Sequence, residues 1–279
     1  MLTNVDIFFG KGERKIARKA EEMPVKSLIY HHRAYRKLPK VHPWNTALEF
    51  FMCAVILNLI ILFIYPSITY FISYIGKIIF SNSIEQYEIL NSPFILGDVY
   101  ILDIFGRYPS LTFSIYSALS SMVLIILMPL LKFINKPISI WLTLIFLINL
   151  ISSLFFIFFS DFFPYSMWIY LDLYIKTEIC IWLIIPYLLI FAFLPLPANF
   201  FSKLKLVVVS LIYSIIFGSI RYIVFIFILR EYSYIFMAVV FFIFGPFFNF
   251  IYIISFYSMF VSRLAVKLKG DVNKWGWLF

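Results

Sequence analysis

Cys180 and Arg221 are the residues of this chain whose types and setting suggest chemistry. Cys180 stands in "YIKTEICIWLIIPYLLIFAF" (174–193), at the mouth of a long apolar run, with Glu178 two residues before it. Arg221 lies inside a second apolar run, "YSIIFGSIRYIVFIF" (213–227). A thiol attacks as its thiolate, and a neighbouring guanidinium stabilises that form. A helix N-terminus acts in the same sense. A charge at membrane depth costs at least about 2.5–3.5 kcal/mol, so Arg221 is expected to face protein rather than lipid. Ser210, Ser214 and Gly218 recur every four residues before it, a small-residue stripe that admits another helix closely. Plainer readings stand beside this one. A lone Cys in an apolar run serves as a small hydrophobe, and a buried Arg serves as half of an ion pair, with Glu178 as the candidate partner. Glu178 also opposes a thiolate at Cys180, unless it is drawn off by Arg221 or Arg230.

The elements that must position these residues are membrane spans. The 279 residues are 63% hydrophobic, 22% aromatic and only 13% charged, far from the balance of a soluble domain. Runs of roughly 20 apolar residues match the hydrocarbon thickness. They fall at about 47–76, 111–131, 138–159, 179–195, 206–229 and 234–262. The fold class expected is therefore all-α, a polytopic bundle of six spans. Pro66 lies inside the first run, which reads as one long kinked or tilted helix. Gly245-Pro246 marks a kink in the last. Residues 1–46 form a basic tail, 47–262 the bundle and 263–279 a short second tail.

Eighteen Lys and Arg fall in the N-terminal tail, the alternate loops and the C-terminal tail, against four in the other loops. This places both termini in the cytoplasm. The net charge of +9 thus reads as attraction of the N-terminal tail to anionic headgroups, and no nucleic-acid motif supports the other use of basic charge. His31, His32 and His42 are the three histidines, all in that tail, so no haem or metal site built from intramembrane His is expected. Cys53 and Cys180 give neither a disulfide framework nor a zinc spacing. No cofactor is expected. The acidic residues read as loop residues, which weakens a transporter with an intramembrane carboxylate relay. The loop stretches 92–110 and 162–179 mix aromatics with single acids and read as interfacial helices or as a lid.

"TEIC" followed by "YSIIFGSIRYIVFIF" resembles the exosortases and archaeosortases, over roughly residues 165–262. Members of that family are multi-span proteins thought to act as cysteine transpeptidases on C-terminal sorting segments of exported proteins. The resemblance implies Cys180 as nucleophile, Arg221 as its partner, and Arg230 as the third member where the family has a later His or Arg. It also implies the plasma membrane of a prokaryote and a sorting segment as partner. The chain departs from the family at Cys180-Ile181-Trp182, where Cys-Ser-Gly is usual, and at Gly218-Ser219, where Asn is frequent. It has no His after His42. The alternative from another class is a non-enzymatic scaffold or accessory subunit. The entry "HPWNTALEFF" is faintly similar to the start of Yip1-type trafficking proteins.

Overall fold

The computed structural model describes residues 43–81, 87–131, 134–193, 196 and 198–267. Residues 1–42, with the three histidines, and the C-terminal residues 268–279 lie outside the described residues, as does the side chain of Cys53. Among the described residues, six helices are long and apolar enough to cross a membrane.

The chain enters through α1 (Pro43–Phe50) and a π turn (Phe51–Val55), and continues as α2 (Ile56–Phe80). Pro66 sits inside α2 without ending it. A two-stranded antiparallel hairpin follows, β1 (Glu88–Phe94) and β2 (Gly97–Asp103). Then come α3 (Leu111–Leu127), α4 (Lys136–Phe158), α5 (Met167–Phe193) and α6 (Phe200–Glu231). The last span is broken into α7 (Met237–Phe242), a π turn (Ile243–Phe247) and α8 (Phe248–Lys267).

The hairpin corrects the expectation for 92–110. Its "EILNSPF" and "GDVYILD" strands are joined by the two-residue turn Ile95-Leu96. Such turns place a residue at positive φ, and Ile95 has φ 24°. A β-branched side chain is strained there. The other loop stretch, 162–179, is helical from Met167 on and is continuous with its span, so α5 begins about three turns earlier than hydropathy suggests.

Side chains of the flanking helices fasten β2. Tyr65 in α2 shares its hydroxyl proton between the carbonyls of Phe94 (2.8 Å) and Gly97 (2.9 Å). Ser73 donates to Tyr100 O (2.8 Å), and Tyr100 N–H donates to Thr69 Oγ1 (3.3 Å). Leu102 N–H donates to the Tyr222 hydroxyl in α6 (3.0 Å). Beyond the hairpin, Arg107 N–H donates to Leu229 O (2.9 Å), and Tyr234 N–H donates to Arg107 O (3.0 Å). Gly106 passes so close to Tyr234 that a Cβ there would overlap the ring.

Burial separates two zones. Helices α5, α6 and the broken span form the shut part of the bundle, around Trp182, Tyr174, Tyr222 and Phe193. Helices α3 and α4 pair with each other at the periphery and leave most of their apolar surface facing outward. At the end of the bundle remote from the hairpin, Lys203 in the first turn of α6 pairs with Glu49 of α1 (2.8 Å).

Candidate functional site

Arg221 is held in the shut zone by three helices. Its position on α6 follows from the small-residue stripe: Ser210, Ser214 and Gly218 are all buried, and the arginine continues that face. Its Nη2 donates to Glu178 Oε1 on α5 (2.8 Å) and to Asn249 Oδ1 on α8 (2.6 Å). Its Nη1 donates to the carbonyls of Phe244 (2.7 Å) and Gly245 (2.8 Å). Asn249 Nδ2 donates in turn to Glu178 Oε1 (3.2 Å) and Oε2 (3.3 Å), which closes a triangle. Glu178 is 2% exposed, Arg221 5% and Asn249 1%, so the cluster is shielded from bulk solvent.

The two carbonyls lie at a break in the helix. Gly245 has φ −87° and ψ −114°, outside the helical region, and Pro246 brings no N–H to the ladder. Gly245 O accepts from Phe248 N–H at the end of the π turn and takes Arg221 Nη1 as a second donor, as a carbonyl with two lone pairs allows. Around the triangle, Tyr174 donates to Gly218 O (3.2 Å), and Tyr252 donates to Ser214 Oγ (2.6 Å). A Cβ at Gly218 would come within 3.0 Å of Glu178 Oε2, so glycine leaves room for the carboxylate. The Phe217 ring lies 4.9 Å from the guanidinium carbon, within cation–π range. Arg221 Nε is the one part of the guanidinium with no hydrogen bond among the described residues.

Glu178, read from the sequence as a loop acid, is thus an interior carboxylate. The plainer reading of Arg221, an ion pair with Glu178, is the one the geometry carries. Cys180 is not in the cluster. Its side chain is exposed on α5, and two helical residues turn about 200°, which sends Glu178 inward and Cys180 outward. Arg230 is also elsewhere. It donates to Phe80 O (3.3 Å), lies over the Phe80 and Tyr87 rings (5.8 and 5.5 Å), and approaches Glu231 at 3.7 Å. The structure therefore brings Arg221 and Glu178 together and leaves Cys180 and Arg230 apart from them. Asn249 went unnoticed in the sequence; the signal was an amide four residues past the Gly-Pro break in an otherwise apolar run.

No protein-family model matches the chain, and neither a curated protein nor a solved structure matches it.

Proposed function

We propose that this protein is a non-enzymatic multi-pass membrane protein, a scaffold or accessory subunit of a membrane complex. The observation that supports this reading is the way Arg221 is used. Its guanidinium is taken up by Glu178, Asn249 and two carbonyls, with Cys180 exposed on another side of α5. A nucleophilic thiol needs a cation or a base within hydrogen-bond reach. The cluster instead ties α5, α6 and α8 across the kink, which is structural work. Both termini are cytoplasmic in this reading, on the strength of the Lys and Arg distribution, and the basic tail meets anionic headgroups.

The second reading is a sorting-type cysteine transpeptidase using Cys180, Arg221 and Arg230. In its favour, α5 and α6 are direct neighbours, joined by the Glu178–Arg221 and Tyr174–Gly218 bonds. It requires α5 to turn by roughly 160° to exchange Glu178 for Cys180. Complementation of a deletion strain separates the two. Cys180→Ala is expected to restore the phenotype as fully as the unaltered gene. A Cys180→Ala protein that reaches normal membrane levels but does not complement, together with rapid labelling of Cys180 by an impermeant thiol reagent, would overturn the scaffold reading in favour of the transpeptidase.

A further inference from the structure

The two edges of the β-hairpin are treated differently. The outward groups of β2 identify the register: Tyr100 N–H and C=O and Leu102 N–H all turn away from β1 and are bonded by Thr69, Ser73 and Tyr222. Their cross-strand partners are Asn91 and Ile89. In an antiparallel pair, residues opposite each other share one type of pairing, so Ile89 and Asn91 also turn their N–H and C=O outward, on the free side of β1. Pro93, opposite Asp98, continues this edge with a carbonyl and no N–H, a placement proline tolerates only at an edge. None of these five groups has a hydrogen-bond partner among the described residues. Glu88, Asn91 and Pro93 are exposed.

A second observation lies at the open end of the same strand. Glu88 and Asp103 stand directly opposite each other, an arrangement of like charges that costs stability. Neither carboxylate has an ion-pair partner among the described residues. Lys176, which reaches β1 at Ser92 (2.8 Å), is already occupied by Asp172 (2.9 Å). Asp98 accepts from Asn91 Nδ2 (2.9 Å). The edge therefore offers main-chain donors and acceptors beside an acidic pair with no ion-pair partner among the described residues.

We infer that β1 is a docking edge for an extended segment of another polypeptide, which adds as a third strand and sets a Lys or Arg between Glu88 and Asp103. Strand addition of this kind draws affinity from main-chain bonds and specificity from side chains at alternate positions. A second copy of this chain does not fit. β2 runs along α2, with Gly97 beside Pro66 and Leu102 beside Gly76. The five-residue rise of about 17 Å matches about 15 Å of helix. Copies in one membrane share an orientation, so a twofold along the normal would set two β1 strands parallel with identical residues level. Parallel pairing slants its bonds between residues at different levels. The chain's own tails leave from the other end of the bundle, at Pro43 of the helix that Phe80 ends and at Lys267 beyond Phe260, which packs on Phe193 at the foot of α5. The inference extends the scaffold reading by giving it a partner surface, and its test does not involve Cys180.

The test uses the full chain in neutral-lipid nanodiscs, with empty nanodiscs as blank. The probe is a fluorescent octapeptide of alternating Thr and Val with a terminal Lys, followed by anisotropy. The peptide is expected to bind. Methylating the backbone nitrogens on one edge of the peptide, then on the other, is expected to weaken binding by about tenfold in one case only, since a few net hydrogen bonds are lost on the edge that meets β1. Glu88→Gln with Asp103→Asn is expected to weaken it several-fold and to remove its salt dependence. No binding at millimolar peptide, or binding indifferent to methylation of both edges, overturns the proposal. Binding that keeps its affinity in the Glu88→Gln/Asp103→Asn variant overturns the charged part of it. Failure here with full complementation by Cys180→Ala leaves the scaffold reading standing, so the two outcomes are separable.

Discussion

Two polar clusters lie between helices of this bundle, and they differ in charge and in place. Between α3 and α4, Asn149 Nδ2 donates to Ser117 Oγ (2.9 Å) and Ser121 Oγ (2.8 Å), and Ser153 donates to Ser117 Oγ (2.9 Å). All four residues are neutral, and they join two helices whose other faces are open. Between α5, α6 and α8, Arg221, Glu178 and Asn249 form a charged cluster in the most enclosed part of the protein. Uncharged groups between two helices can be lost cheaply, because each finds another partner on its own helix. Ser153 already does so, bonding Asn149 O at 2.8 Å. A buried ion pair has no such fallback: removing one partner leaves the other charge desolvated. The charged cluster also bonds two backbone oxygens at the Gly245-Pro246 break, a task a neutral side chain with fewer donors would not complete.

The contrast can be tested in order of expected effect. Arg221→Leu is expected to cost about 3–5 kcal/mol, because it leaves the buried Glu178 carboxylate without its cation. The measurement is thermal unfolding of the purified protein in one detergent, and a loss under about 1 kcal/mol would sink the idea of a structural lock. The double variant Glu178→Leu/Arg221→Met is expected to be less damaging than the sum of its single changes by several kcal/mol, since a paired apolar replacement removes both charges together. Additivity in that cycle would mean the two groups do not depend on each other.

Tyr222→Phe is expected to cost about 1–3 kcal/mol by orphaning the buried Leu102 N–H. Protection of that amide against hydrogen exchange reads it directly: unchanged protection would show that the hydroxyl does not hold β2. Asn149→Ala, in the neutral cluster, is expected to cost only about 0.6 kcal/mol. If it matched Arg221→Leu, charge would not be what separates the clusters. Cys180→Ala is expected to stay within about 0.5 kcal/mol of the parent, as an outward-facing position should.

The hairpin explains why part of the fold was hidden. "SPFILGDVYILDIFGRYPS" contains no Asn-Gly or Asp-Gly at its turn, the usual short-range signal for a two-residue hairpin. The turn is Ile95-Leu96 instead, held at positive φ against local preference. Its stability comes from Tyr65, Thr69, Ser73 and Tyr222, residues separated from it in sequence. Glu178 and Cys180 show the same limit at the site. They are two residues apart in a helix whose apolar residues run all the way round. The pattern therefore does not say which face turns inward.

What the sequence by itself determined is the membrane character, the six spans and the need for Arg221 to find a partner. These follow from the number of apolar residues in a row and from the cost of an unpaired charge in hydrocarbon. The tertiary structure alone decided that the partner is Glu178 rather than Cys180, that Asn249 and the broken helix complete the cluster, and that 92–103 belongs to a β-hairpin, where the sequence reads as an interfacial helix or a lid. The physical reason is that helix rotation and strand pairing are set by long-range hydrogen bonds, such as Arg221 to Gly245 O and Leu102 N–H to Tyr222, which leave no periodic trace in the local chain.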